Sequence, residues 1–130
     1  MTISNRRGFT LIELLIVVVV IGILATIAIP KFSAMRTKSY IAAVTSDLKN
    51  FASHQELYLS NEYSYAPDVA TLDMTLTDNI TITVNEATGI GWAATATHSG
   101  LAGAQCGIYF GTAAASGASP ATAPGTVTCN

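Results

Sequence analysis

The chain has 130 residues, half of them apolar and 11% charged, with a formal net charge of −2. That length allows one modest folded head, and the first third is too apolar to count toward an ordinary soluble core. The six basic residues, Arg6, Arg7, Lys31, Arg36, Lys38 and Lys49, all lie in the first fifty positions; from Glu56 onward the ionised side chains are Glu56, Glu62, Asp68, Asp73, Asp78 and Glu86, so the head repels phosphate and no nucleic acid is expected to bind the isolated head.

Met1 to Gly8 form a short polar leader with adjacent Arg6 and Arg7, and Phe9 to Pro30 is then almost wholly apolar. As a helix this run covers about 33 Å, enough to cross the hydrocarbon of a bilayer. The two arginines favour a cytoplasmic N-terminus with the later chain translocated, although Lys31, Arg36 and Lys38 on the far side weaken the asymmetry. The apolar run ends without an Ala-x-Ala site, so a single-pass anchor competes better than an ordinary cleaved secretory signal.

Beyond Pro30, Ile41, Val44, Leu48, Phe51, Gln55 and Tyr58 advance by three and four residues, while Asp47, Lys49 and Glu56 fall mostly elsewhere, the pattern of an amphipathic helix. Counted from Phe9 to about Leu59, one helix would reach roughly 75 Å. Its first half, 9–30, needs lipid or other helices; its second half, 31–59, needs a small domain. Gly22 and Pro30 are expected to interrupt it, because glycine adds backbone freedom and proline removes a hydrogen bond, so the stretch between them should bend or melt most easily. Membrane helices also commonly tolerate both residues.

Ser60 to Asp78 reads as a structured connection, with tyrosines at 58, 63 and 65 packing its surface. Asn79 to Val84 alternates with period two and predicts a strand whose Ile80, Ile82 and Val84 face the helix. Gly91–His98 and Gly107–Gly111 predict two more strands, giving a short antiparallel sheet. The Ala-, Ser- and Pro-rich segment 111–125 has no periodic apolar face and reads as an exposed loop before a terminal Thr126–Cys129 piece. Cys106 and Cys129 fit a disulfide better than a metal site, since two thiols without clustered His or carboxylate partners cannot fill a tetrahedral shell; unpaired small hydrophobes are the alternative. Bonded, they close a loop of about 24 residues, worth roughly 3 kcal/mol on the chain-entropy model, and imply an oxidising compartment.

The most informative residues are Gly8-Phe9-Thr10-Leu11-Ile12-Glu13, followed by an uncharged run to Pro30. A carboxylate at the centre of a spanning helix costs about 2.5 to 3.5 kcal/mol on insertion scales and less toward its ends; five residues into the apolar run, Glu13 still calls for a partner. Cleavage between Gly8 and Phe9 would create an α-amino cation at Phe9, available to Glu13 of a neighbouring helix. Such a pair would set axial register more surely than add net stability, because desolvation offsets much of the attraction.

From Arg6 to Pro30 the chain closely resembles the type IV pilin and type II secretion pseudopilin superfamily, most closely a type IVa pilin. The resemblance implies an α+β fold, a long N-terminal helix packed on a small antiparallel sheet head, in which segment 60–130 holds the αβ-loop, the sheet and a disulfide-bounded C-terminal region resembling Cys106 to Cys129. It implies that a prepilin peptidase removes the leader, 1–8, and N-methylates Phe9. The subunit would wait in the bacterial inner membrane, in contact with lipid, before an assembly platform and a cytoplasmic ATPase move it into an extracellular homo-oligomeric filament. In that filament the helix would lose regularity between Gly22 and Pro30. A secretion pseudopilin or minor pilin is the alternative, and a single-pass anchored domain a remote one; the Cys pair and the lack of a dense acidic calcium loop favour the pilus. Motility and adhesion are among the roles such filaments serve.

An enzyme is not expected: no nucleophile elbow, HExxH or phosphate loop occurs, His54 falls on a helix and His98 at a strand end, and neither cofactor nor metal is called for. Phe32, Tyr40, Phe51, Tyr58, Tyr63 and Tyr65 read as packing residues rather than an electron path. The Asn79-Ile80-Thr81 sequon is already explained by the strand alternation.

Overall fold

A computed structural model describes residues 8–130, so the expectations resting on Arg6 and Arg7 lie outside the described residues. The chain divides into two compact units, Met1–Arg36 and Thr37–Asn130. Helix α1 runs Leu11–Glu62; strands β1 (Ile80–Ala87), β2 (Gly91–His98), β3 (Gln105–Gly111) and β4 (Thr128–Cys129) follow, with short 3₁₀ turns at Ala70–Leu72 and Ala115–Ala118.

In the first unit α1 carries apolar side chains exposed all the way round, from Leu11 to Ile29. Gly22 and Pro30 both sit inside the continuous helix. A Cβ at Gly22 would meet nothing within 4 Å, so no close approach in the single subunit calls for glycine there.

Within the second unit α1 ends three residues beyond the expected Leu59. Tyr63 takes a left-handed backbone, φ 56°, and its N–H donates to the Leu59 carbonyl at 2.9 Å, closing the last turn in an αL cap. The sheet is an antiparallel meander in the order β1-β2-β3-β4. Its inner face, formed by Ile80, Ile82, Trp92, Ala94, Ala96, Cys106 and Ile108, closes over Val44, Leu48 and Phe51 of α1, and Phe51 meets the Trp92 ring edge-on at 5.2 Å. Ile41 and Tyr58 flank this stripe half-buried, as the helical spacing predicts, and Val84 is half-buried beside Ile80 and Ile82.

Two buried polar side chains tie the αβ-loop to the helix. Gln55, fully buried, donates from Nε2 to the Ala66 carbonyl at 2.9 Å and accepts from the Ala66 N–H at 2.8 Å. Asp47 was expected off the buried stripe, yet it is 5% exposed: its carboxylate accepts from the Thr77 N–H at 2.8 Å and the Thr77 hydroxyl at 3.1 Å. Both are fully partnered, which is what makes burial of polar groups tolerable.

Segment 111–125 is largely exposed, as expected, apart from three alanines. Ala113, Ala118 and Ala121 bury against Ala93 on the outer face of the sheet. The fit depends on small size: a Cβ built on Gly107 would stand 1.7 Å from the Ala118 carbonyl oxygen. Hydrogen bonds hold the rest, from Asn85 Nδ2 to the Gly117 carbonyl at 2.7 Å, from the Ala114 N–H to Glu86 at 3.1 Å, and from Gln105 Nε2 to the Ser119 carbonyl at 2.8 Å. β1 continues past Val84 to Ala87 through a bulge between Val84 and Glu86, where the period-two alternation slips and the sequence signal for a strand ends. β3 begins at Gln105, two residues before the predicted Gly107. Cys106 and Cys129 stand opposite one another in β3 and β4 and are disulfide-bonded.

Candidate functional site

Gly8 and Phe9 precede the helix and are open on all sides: Phe9 is 82% exposed, and nothing lies within 4 Å of a Cβ at Gly8. Thr10 then caps α1. Its hydroxyl oxygen accepts from the Glu13 N–H at 3.3 Å, while Glu13 Oε2 accepts from the Thr10 N–H at 2.7 Å and the Thr10 hydroxyl at 2.8 Å. This is a reciprocal capping box, the arrangement that satisfies two orphan donors of the first turn. Thr10-Leu11-Ile12-Glu13 carries the Thr-x-x-Glu spacing ahead of an apolar run, so the cap is legible in the sequence alongside the need of Glu13 for a partner. The structure thus brings Thr10 and Glu13 together, with Phe9 one residue before the cap.

Past the cap, Leu11, Leu14, Leu15 and Val18 line a shallow, wholly apolar furrow on the helix surface. The helix is long and apolar enough to cross a membrane. A helix that is hydrophobic all round needs either lipid or other helices around it.

The head offers little that resembles reaction chemistry. His98 stacks on Tyr40, ring centroids 4.1 Å apart, and its Nδ1 accepts the Gly100 N–H at 2.9 Å. His54 borders a small surface hollow of about 180 Å³ with Leu57, Tyr58, Asn61, Thr71 and Leu72. Among the described residues no group of three or more His, Cys, Asp or Glu could hold a metal. Asp68 accepts from the hydroxyl and N–H of Thr71, at 2.7 and 2.8 Å, and these bonds hold its carboxyl below the ordinary range. Burial, then the hydrogen bond it donates to Glu56 and that carboxylate's charge, push the Tyr65 phenol up.

Residues 3–29 match the prokaryotic N-terminal methylation motif. The chain is 33% identical over 129 residues to the type IV wide pilus major component PilA4 of Thermus thermophilus, across 92% of this chain and 98% of that one. It is 44% identical over 73 residues to the type IV major pilin protein PilA of Myxococcus xanthus, spanning 49% of this chain and 33% of that protein. It is also 33% identical over 61 residues to the type II secretion system core protein G of Pseudomonas aeruginosa, spanning 47% of this chain and 43% of that protein. An end-to-end relative, the methylation motif over the exposed Gly8–Phe9 junction, and a helix leading into a four-stranded antiparallel head together place the chain in the type IV pilin family.

Proposed function

We propose that this chain is a structural subunit of a type IV pilus and that it polymerises through the N-terminal half of α1. The observation that carries the reading is the helix surface from Leu11 to Ile29, apolar and exposed on every side, in a chain similar along its length to a pilus major component. Such a surface is stable in lipid before assembly and in a bundle of like helices afterwards. Its work is structural rather than catalytic.

In this reading a prepilin peptidase removes 1–8 by cutting after Gly8 and methylates the new amino group of Phe9, and exposure of both residues suits access by another protein. Segment 9–30 holds the subunit in the inner membrane until an assembly platform draws it into the extracellular filament, and 31–59 and 60–130 remain as the folded head. The Phe9 amine of one subunit meets Glu13 of a neighbour as an alignment key. Loss of helix regularity between Gly22 and Pro30 belongs to the assembled state, since the helix passes through both in the single subunit. The relative named as a secretion core protein G gives a second reading, a pseudopilus subunit, over about half of the chain.

The test is intact mass and N-terminal analysis of subunits from sheared surface filaments, comparing wild type with Glu13→Ala. A mature chain beginning at methylated Phe9, with filaments lost in the variant, is expected. A chain that keeps Met1–Gly8 and stays in the membrane overturns the reading, and filaments that form only with a secretion system's assembly proteins favour the pseudopilus.

A further inference from the structure

The head unit, Thr37–Asn130, carries exposed charges of both signs on α1, Lys38 and Lys49 with Glu56 and Glu62 nearer its C-terminal end, and acidic ones alone on the αβ-loop. Its two basic side chains, Lys38 and Lys49, are both exposed on α1. They are eleven residues apart, which on a helix brings them within about 20° of the same direction and about 16 Å along the axis, off the buried stripe of Val44, Leu48, Phe51 and Gln55. The side chain of neither lysine forms an ion pair or hydrogen bond among the described residues.

The αβ-loop carries the opposite sign. Asp68 spends its carboxylate on Thr71, but Asp73 and Asp78 are exposed and their carboxylates have no hydrogen-bond or ion-pair partner among the described residues. The loop that presents them is held at both ends, by Gln55 on Ala66 and by Asp47 on Thr77. Five residues of chain span at most about 17 Å, so the two aspartates stand no farther apart than about the axial separation of the lysines, and the flexible lysine stems can close a shorter spacing.

From this we propose that Lys38 and Lys49 of one subunit dock on Asp73 and Asp78 of a second copy, an electrostatic contact between heads that sets subunit register in the filament. The inference rests on the filament reading above. Its occupant follows from charge complementarity: a lysine patch and an aspartate patch on one chain are complementary between two copies, and in the filament reading the contact is heterologous, the kind that builds an open helical polymer when its rotation does not close. Each such pair at a solvent-exposed rim adds little affinity but penalises wrong registers strongly, because slippage sets like charges against each other.

Two measurements test it in the native host with the full chain. Wild-type filaments, assembled from a mixture of isotopically light and heavy subunits, are treated with a zero-length carbodiimide and digested; mixed-isotope cross-links joining Lys38 or Lys49 to Asp73 or Asp78 are expected, and their absence alongside other lysine–carboxylate links overturns the contact. Second, K38E/K49E should lower the yield of sheared filaments about tenfold or more, and adding D73K/D78K to the same chain should restore it. A four-fold variant no better than the pair, or K38E/K49E at wild-type yield, also overturns it. Should K38E/K49E fail to accumulate as disulfide-bonded subunit, the cross-linking result on wild type decides alone. Wild-type cells without filaments would refute the pilus function itself, a different outcome from intact filaments lacking these contacts.

Discussion

Replacing Gln55 isolates the energetics of the αβ-loop anchor. The side chain is fully buried and its amide makes both a donated and an accepted bond with Ala66, itself fully buried. Gln55→Met nearly preserves volume but leaves the Ala66 N–H and carbonyl without partners, at roughly 1–3 kcal/mol each. Part of this is offset by the added apolar burial, so a net loss of about 2–4 kcal/mol is expected. For a head of this size that lowers the Tm by about 8–30 °C. The assay is thermal unfolding of the full-length chain in detergent, followed by the fluorescence of Trp92, the single tryptophan, which is fully buried and lies 6.4 Å from the Tyr65 ring that precedes Ala66. Gln55→Glu sharpens the test. Its carboxyl can donate to the Ala66 carbonyl only when protonated, so burial and that bond raise its folded pKa. The variant's stability is then fully present below the unfolded glutamate value of about 4.3 and lost as pH rises through the folded one. A Met variant melting within about 2 °C of wild type, or a Glu variant whose melting shows no more pH dependence than wild type's, would refute the reasoning.

Gly107→Ala forces its Cβ against the Ala118 carbonyl and should cost about 1–3 kcal/mol, read as a lower Tm by the same fluorescence, whereas alanine at the open Gly103 faces no contact and tests only its positive φ. Replacing Cys106 and Cys129 together with alanine removes a constraint on about 24 residues and should cost roughly 3 kcal/mol, measured against the oxidised wild type. Thr71→Val removes the hydroxyl bond to Asp68, so the Asp68 carboxyl should titrate closer to its ordinary value by NMR. In wild type the stability that Asp68 contributes is present above that ordinary value and lost as pH falls through the lowered folded one.

The parts of the fold legible in the sequence are those set by periodicity. The Val44–Leu48–Phe51–Gln55 stripe and the Gly91–His98 strand lie where spacing puts them, because their inward-facing side chains, the small Ala94 and Ala96 included, repeat at 3.6 or 2 residues against small or polar neighbours. The burial of Asp47 is not legible in its helical spacing, because what permits it is Thr77, thirty positions away, and long-range satisfaction leaves no local mark. Segment 111–125 is mostly the exposed loop its composition suggests, and the burial of Ala113, Ala118 and Ala121 within it leaves no signal for a related reason: these residues pack by being small, and the clearance they satisfy lies on β2 and β3. At the N-terminal site Gly8, Phe9 and Glu13 stood out by residue type and order. The Thr10–Glu13 reciprocity, though present as a spacing, was overshadowed by the cost of a carboxylate in lipid.

That cap changes what an approaching cation gains at Glu13. The carboxylate already accepts two short bonds from Thr10, both on Oε2, so a cation arriving at Oε1 meets an ion that is already partly satisfied. In a thermodynamic cycle the contact is then an addition to a capped carboxylate, and its free energy is smaller than that of pairing a bare one. On the filament reading, cohesion between helices would then come chiefly from the apolar surface between Leu11 and Ile29, and the acid would act on register more than on strength.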